Sequence, residues 1–210
     1  MDKSNKILNL IREMFPNASC ELNYNNNFEL LIAVVLSAQT TDKRVNLVTD
    51  DLFKKYPTPV LLSNAQYNDV YNIIKSLGLA KSKTNNIINL SKALVNDYEG
   101  VVPNTREKLE QLPGVGRKTA NAVLMEGFRI PAIAVDTHVS RVSNRLGLSN
   151  SNDVKVIEKD LISLYDEKDF YYVHHGLLFF GRYHCKAQNP YCDQCKLKEY
   201  CNYKKWQKTS

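Results

Sequence analysis

Residues 112–124 read LPGVGRKTANAVL, a glycine-rich turn that runs directly into a helical pattern. Gly114 and Gly116 permit backbone conformations that other side chains oppose, and they let the backbone come close to another surface. The helix that follows begins with amide N–H groups that have no partner inside the helix, at the positive end of its dipole. Such an end attracts phosphate, so the stretch predicts contact with a nucleic-acid backbone rather than with base edges.

The turn joins two short helices at about residues 105–128, the helix-hairpin-helix pattern. We expect Gly114, Val115, Gly116 and Arg117 to contact DNA phosphates there. An ordinary tight turn between two packed helices would explain a lone Gly-x-Gly. The full string in a basic protein favours DNA.

Lys118 lies in the first turn of the second helix of this hairpin. On a helical wheel it projects away from the apolar stripe that holds Ala120, Val123 and Leu124. The helix dipole disfavours a protonated lysine at this end, and a neutral amine is a nucleophile that forms a Schiff base with an aldehyde-like carbon. By position alone, a phosphate contact is the favoured interpretation of Lys118, and the nucleophile is the alternative.

Asp136 follows the apolar segment 132–135 and opens another helical pattern. An aspartate at that place is typical of a helix N-cap. The same carboxylate can accept the proton of a nucleophilic amine and stabilise positive charge that develops on a sugar. His138 could touch a phosphate, but a polar residue of the first helical turn is the favoured interpretation.

Four of the five cysteines lie within seventeen residues and have the spacing C-x6-C-x2-C-x5-C; they are Cys185, Cys192, Cys195 and Cys201. Four thiolates at this density can surround Zn²⁺ or a [4Fe–4S] cluster, with no open position left for a substrate. Zinc ribbons usually show two C-x-x-C pairs and only one occurs here, so the spacing favours iron–sulfur by a small margin. Either metal would hold the loop 186–200 and its lysines as a surface that faces phosphates. Cys20 stands apart and is expected to be an inert core thiol.

Charge and periodicity describe the rest of the chain. The 210 residues carry a net charge of +6, and nearly all of the excess lies in residues 181–210. The basic side chains of that segment are Arg182, Lys186, Lys196, Lys198, Lys204, Lys205 and Lys208. A basic block attracts polyanions, although a solvated tail explains the charge equally well. The apolar run Leu30–Leu36 has no alternating partner strand, so we expect a buried helix, and about ten short helices predict an all-α class.

The chain resembles endonuclease III, the family of bifunctional DNA glycosylases of base excision repair, in three segments. These are LPGVGRKTANAVL, AVDTHVSRVSNRLG, and HGLLFFGRYHC with the cysteines that follow it. Weaker similarity in LLIAVVLSAQTTDKRVN and IIKSLGLAKSK extends the resemblance over most of the chain. It implies the all-α helix-hairpin-helix glycosylase fold, with two helical domains, a cleft between them and a C-terminal loop with four cysteines. The implied domains are a six-helix barrel at 20–131 and an iron–sulfur cluster domain formed by 1–19 plus 132–210, with its cluster loop at 185–201.

The resemblance also implies roles for single residues. The family's nucleophilic lysine follows PGVGR, which makes it Lys118, and its catalytic aspartate stands in VDTHV, which makes it Asp136. The family's [4Fe–4S] cluster favours iron–sulfur over zinc at the four cysteines. Lys186 lies in the basic loop that either metal would hold, and for that reason we expect it on the DNA-binding surface. The side chains that enter the gap left by a flipped base would be Gln39 and Leu79. A polar helix end and a buried loop residue are the respective alternatives.

Two positions depart from the pattern of the family. Ala80-Lys81 stands where members tend to have an aromatic and a polar residue, and Gly176 stands where a large aromatic is common. We expect the first to affect the loop that intercalates into DNA and the second to affect packing. Neither position bears on the chemistry.

The sequence therefore predicts a glycosylase and AP lyase that removes oxidised pyrimidines from duplex DNA through a lysine Schiff base. A monofunctional mismatch or adenine glycosylase and a non-catalytic, metal-stabilised DNA-binding module are the alternatives. We expect a monomer in the bacterial cytoplasm, associated with the nucleoid. No apolar run reaches the roughly 20 residues of a membrane helix, and the first residues, MDKSNKILNL, do not resemble a secretory signal.

Overall fold

A computed structural model describes residues 2–203 of the chain, and within them it contains helices and no strand. The prediction of an all-α class is therefore confirmed. Eleven α-helices lie in the described part: α1 Lys3–Met14, α2 Asn27–Leu36, α3 Asp42–Lys55, α4 Pro59–Ser63, α5 Tyr67–Ile74, α6 Ala80–Tyr98, α7 Arg106–Glu110, α8 Arg117–Gly127, α9 Thr137–Arg145, α10 Val154–Leu164 and α11 Phe170–Phe179. Short 3-10 helices occupy Glu167–Asp169 and Lys198–Tyr200, and a π-helix occupies Phe180–His184.

The chain divides into two compact units, one formed by Glu21–Ile130 and the other by Met1–Cys20 with Pro131–Ser210. The first unit surrounds α2, in which every side chain from Phe28 to Leu36 is buried. Asn26 caps this helix by accepting a hydrogen bond from the Glu29 N–H at 3.0 Å. The run Leu30–Leu36 is thus a buried helix, as its lack of a partner strand predicted, and it packs against α3, α6 and α8.

α6 is a 19-residue helix whose buried face contacts α2, α4 and α5. Leu79 precedes it and Glu99 ends it, and both have a left-handed backbone. The short helix α7 packs on α8, and the turn 111–116 joins them. Buried side chains on both sides of the turn hold this pair in place: Leu109, Leu112, Val115 and Ala120.

The second unit has a core of its own, to which α1, α9, α10 and α11 contribute. Gly176 allows α11 to lie close to α1, because a Cβ at this position would be 2.7 Å from Ile11 Cγ2. A large aromatic side chain at 176 would not fit here, so this departure from the family pattern does concern packing. Among the described helices, none is both long and apolar enough to cross a membrane.

Candidate functional site

The two glycines of the hairpin turn have different surroundings. Gly114 has φ +78°, and a Cβ built on it would be 2.9 Å from Asn86 Nδ2 and 3.0 Å from Asn86 Cβ. Gly116, the N-cap of α8, has φ −100°, and nothing lies within 4 Å of a Cβ built on it. Gly114 is therefore required by the chain's own packing, whereas the space beside Gly116 is open to a ligand.

Lys118 is exposed in the first turn of α8, while Ala120 of the same helix is buried. Its side chain points away from the helix's apolar face, as the helical wheel predicted. Within residues 2–203, no ion pair includes its ammonium group. Val115 is 6% exposed, so its side chain belongs to the core and only its backbone is left for the predicted contact. Arg117 is partly exposed beside it.

Gln39 and Leu79 share an uncommon backbone conformation. Both are non-glycine residues with positive φ, +53° at Gln39 and +61° at Leu79, and both side chains are exposed. A Cβ on Gly78 would be 3.7 Å from the Gln39 carbonyl oxygen, so the two loops adjoin. Leu79 is 56% exposed, and its interpretation as a buried loop residue is wrong. Strained, exposed residues in adjoining loops are typical of ligand-binding segments.

Asp136 is the N-cap of α9, as the sequence predicted. Its Oδ1 accepts hydrogen bonds of 2.8 Å from the N–H groups of both His138 and Val139. The residue is partly exposed, although the segment 132–135 before it is buried. The first turn of α9 therefore orients the carboxylate through Oδ1, and Oδ2 accepts no hydrogen bond from the described residues.

His138, in the first turn of α9, is half-buried. Burial lowers the pKa of His138, and Arg141 and Arg182 act in the same direction against the opposing effect of Asp136. Arg141 Nη2 lies 3.3 Å from His138 Nδ1. A neutral ring at this place accepts a hydrogen bond from the guanidinium.

The four C-terminal cysteines line one pocket. Burial raises the pKa of the thiols of Cys192, Cys195 and Cys201, and the negative charge of neighbouring cysteines raises it further. A metal centre held by these cysteines would stabilise them as thiolates. No three His, Cys, Asp or Glu side chains in the described part form a group that could hold a metal ion. Four cysteines around one space nevertheless fit a larger group held by four thiolates.

Two arginines of α9 donate hydrogen bonds to this cysteine loop, and neither was predicted from the sequence. Arg141 donates hydrogen bonds to the carbonyl of Gly181 at 2.8 Å and to that of Cys185 at 3.1 Å. Arg145 donates to the Cys185 sulfur at 3.3 Å and to the Lys186 carbonyl at 2.8 Å. Their spacing of four residues puts both arginines on one face of α9, and this spacing is the sequence feature that could have predicted that they act together.

The predicted basic surface is described only in part. Lys186 Nζ donates to Tyr191 Oη at 3.1 Å, and Lys196 pairs with Glu13 at 3.3 Å. Lys204, Lys205 and Lys208 lie outside the described residues. Cys20 is only partly buried, so the expectation of a core thiol is wrong.

Residues 32–167 match the family model described as HhH-GPD superfamily base excision DNA repair protein. The chain belongs to the endonuclease III family of this superfamily. It is 51% identical to endonuclease III of Bacillus subtilis over 92% of this chain and 89% of that protein. The Escherichia coli K12 enzyme is 43% identical over 95% of this chain and 94% of its own length.

Solved structures agree with this membership. A non-covalent endonuclease III–DNA complex matches with a TM-score of 0.94 at 47% identity, over 99% of this chain and 98% of that chain. A trapped endonuclease III–DNA covalent intermediate matches with a TM-score of 0.93 at 47% identity, over 99% of both chains. The helix-hairpin-helix glycosylase fold predicted from the sequence is thereby confirmed.

Proposed function

We propose that this chain removes oxidised pyrimidines from duplex DNA, with Lys118 as the nucleophile and Asp136 as its proton acceptor. As a member of the endonuclease III family, it is a bifunctional DNA glycosylase and AP lyase of base excision repair. The preference for oxidised pyrimidines and the roles of single residues are the proposal. The observation that carries it is the exposed Lys118 in the first turn of α8, directly after the open backbone at Gly116.

The hairpin turn binds the DNA backbone in this proposal. The open space at Gly116 lets a phosphate approach the N–H groups at the start of α8, where the helix dipole favours an anion. Gly114 and Val115 shape the turn, and Arg117 adds a positive charge beside it. The solved complexes of similar proteins with DNA support this assignment.

The chemistry passes through Lys118. Its neutral amine attacks C1′ of the extruded nucleotide, the glycosidic bond breaks and the base leaves with a proton. Opening of the sugar ring gives a Schiff base between Nζ and C1′, and this makes the proton on C2′ acidic. Loss of that proton expels the 3′ phosphate by β-elimination, and water then hydrolyses the Schiff base and restores the lysine.

Asp136 supplies two effects in this sequence of steps. It accepts the proton that Lys118 must lose before it can attack. It also stabilises the positive charge that develops on the sugar as the base departs. Its capping bonds to the first turn of α9 hold the carboxylate in one orientation, which lowers the cost of placing it.

Gln39 and Leu79 fill the gap that an extruded base leaves in the duplex. Base extrusion costs a few kcal/mol of lost stacking and pairing, and inserted side chains offset part of that cost. Exposure and left-handed backbone at both residues support this role. Leu79 supplies an apolar surface for stacking, and Gln39 supplies hydrogen bonds for the unpaired base on the other strand.

A [4Fe–4S] cluster is held in this proposal by the four C-terminal cysteines, Cys185, Cys192, Cys195 and Cys201. They line one space, and four thiolates with no open position for a substrate suit such a cluster. When bound, the cluster supplies a structural crosslink that fixes the basic loop 186–200 for phosphate contact. The unit formed by Met1–Cys20 and Pro131–Ser210 is then the cluster domain, and Glu21–Ile130 is the barrel domain with the hairpin.

Borohydride trapping tests the proposed function. A duplex with one ring-hydroxylated cytosine should yield a covalent protein–DNA adduct with the wild-type protein, because borohydride reduces the Schiff base to a stable amine. Lys118→Ala should give no adduct and still bind the duplex, whereas Lys108→Ala, a control at an exposed lysine of the same hairpin, should behave as wild type. Base release without any adduct would indicate a monofunctional glycosylase. An adduct that survives Lys118→Ala would overturn the assignment of the nucleophile.

A further inference from the structure

Lys83 is a buried lysine that none of the proposed roles uses. It lies on α6, one turn after Leu79, and is 3% exposed. Its Nζ donates a hydrogen bond to Thr40 Oγ1 at 2.8 Å, and no carboxylate of the described residues pairs with it. Burial lowers the pKa of Lys83.

A buried ammonium group without a counter-ion costs free energy relative to an apolar side chain of the same length. Methionine would fill the same volume and avoid that cost. The single hydrogen bond to Thr40 leaves two of the three ammonium donors without a bond to the described residues. Stability therefore does not explain Lys83, and its contacts point to another role.

Lys83 contacts both loops that carry the proposed gap-filling residues. Its backbone N–H donates to the Leu79 carbonyl at 3.0 Å, and its side chain binds Thr40, the neighbour of Gln39. The Thr40 hydroxyl lies 3.4 Å from the Ala38 carbonyl oxygen, to which it donates in turn, so the bond from Lys83 closes the turn on both sides of Gln39.

The two residues next to these contacts, Gln39 and Leu79, have backbone conformations that need support from their surroundings. A left-handed backbone is unfavourable for a non-glycine residue, and both Gln39 and Leu79 adopt it. Such a conformation persists only where surrounding contacts determine it. Lys83 is one residue in contact with both segments, through its backbone on one side and its ammonium group on the other.

We propose that Lys83 is a positioning residue for base extrusion, which holds Gln39 and Leu79 preformed so that both side chains enter the duplex together. The inference rests on the proposed function, because it presupposes that these two residues fill the gap. A preformed pair avoids the entropic cost of ordering two loops during extrusion. The gain matters most for a stacked and paired base, and least for an abasic site, where no base has to be removed from the stack.

Two substrates separate this role from a structural one. The first is a duplex with a paired, ring-hydroxylated cytosine beside a fluorescent aminopurine base, and the second is the same duplex with a preformed abasic site. Lys83→Met should slow the fluorescence change and single-turnover base release on the first substrate roughly tenfold, in line with the loss of one charged hydrogen bond. It should leave strand cleavage at the preformed abasic site within a factor of two of wild type (an approximate bound).

Thr40 gives a second variant that does not depend on burial of a new side chain. Thr40→Val removes the acceptor and should reproduce the effect of Lys83→Met, whereas Thr40→Ser retains the hydroxyl and should restore wild-type base release. The double variant Lys83→Met with Thr40→Val should be no slower than either single variant, because both remove the same bond. Lys92→Met, at an exposed lysine of the same helix, is the matched control and should behave as wild type.

The outcomes distinguish the two proposals. A wild-type protein that cleaves neither substrate would refute the proposed function. A wild-type protein that cleaves both, with Thr40→Val unchanged or slowed equally on the two substrates, would overturn the role of Lys83 and leave the proposed function intact. Lys83→Met would overturn the role in the same way if it folded with a melting temperature close to that of wild type and was unchanged or slowed equally on the two substrates.

Discussion

Arg145 Nη1 donates a hydrogen bond to the sulfur of Cys185 at 3.3 Å, which ties a proposed cluster ligand to α9. The same guanidinium group lies 3.9 Å from the centre of the Tyr203 ring, and the Arg145 carbonyl accepts from the Asn202 N–H at 2.6 Å. One residue thus contacts both ends of the cysteine loop. Because Asp136 caps the same helix, the loop and the proposed catalytic carboxylate share one rigid element.

Loss of the Arg145 side-chain donors should make the proposed cluster labile. Hydrogen bonds to metal ligands commonly change metal affinity about 10- to 100-fold when removed. Arg145→Met should therefore lose iron faster than wild type in the presence of a chelator, measured as released iron and as decay of visible absorbance. Arg44→Met, at an exposed arginine of α3, should match wild type. Equal rates of iron loss in all three proteins would show that the Arg145–Cys185 bond does not protect the cluster.

The two glycines of the hairpin turn should separate folding from DNA binding. Gly114→Ala forces alanine to adopt φ +78° and places its Cβ 3.0 Å from Asn86 Cβ, so we expect a loss of about 1–2 kcal/mol in the free energy of unfolding. Gly116→Ala meets no atom within 4 Å and should leave that free energy nearly unchanged.

Gly116→Ala should nevertheless bind duplex DNA more weakly, because its methyl group occupies the space proposed for a phosphate. Chemical denaturation and titration with a fluorescent duplex measure the two effects. If Gly116→Ala bound DNA as tightly as wild type, the proposed phosphate contact at this position would be wrong.

Asparagine and alanine at position 136 should separate capping from catalysis. Asp136→Asn retains an acceptor for the N–H groups of His138 and Val139, so its melting temperature should stay close to that of wild type. Its turnover should fall about 100- to 10,000-fold, because an amide accepts no proton. Asp136→Ala should lose the same activity and also about 1 kcal/mol of stability. Unchanged turnover in Asp136→Asn would leave this residue as a helix cap only.

The buried ring of His138 predicts a pH dependence of stability. Because burial lowers its pKa below the ordinary value of 6.5, the unfolded state binds a proton more readily than the folded state. Stability contributed by His138 is then present above about pH 6.5 and is lost as the pH falls below it. Asp136 opposes this effect, whereas Arg141 and Arg182 strengthen it.

Melting temperatures at pH 7.5 and pH 5.5, roughly one unit either side of the ordinary pKa, measure the effect. His138→Gln should show a smaller decrease on acidification than wild type, because glutamine binds no proton. An equal decrease in both proteins would assign the acid sensitivity to other groups.

Local sequence signals predicted much of the helical structure and one feature of the site. Asp136 caps the helix that follows it, as predicted, and a cap depends only on residues two or three positions away. The seven apolar residues Leu30–Leu36 predicted burial in either a strand or a helix. The choice of a helix followed from the absence of a segment with the alternating pattern of a partner strand. Exposure of Lys118 followed from the angle between it and the apolar face of its own helix.

Sequence by itself thus determined the helix class, the hairpin turn, the aspartate cap and the group of four cysteines, since each of these is encoded within about seventeen residues. Only the tertiary structure decided that Lys83 reaches Thr40, that Asn86 lies against Gly114, and that Arg145 binds Cys185. These pairs are separated by 28 to 43 residues, and helical periodicity gives no information on which distant side chains meet. The left-handed backbone of the non-glycine residues Gln39 and Leu79 has the same origin, because contacts from distant segments support conformations that local preferences disfavour.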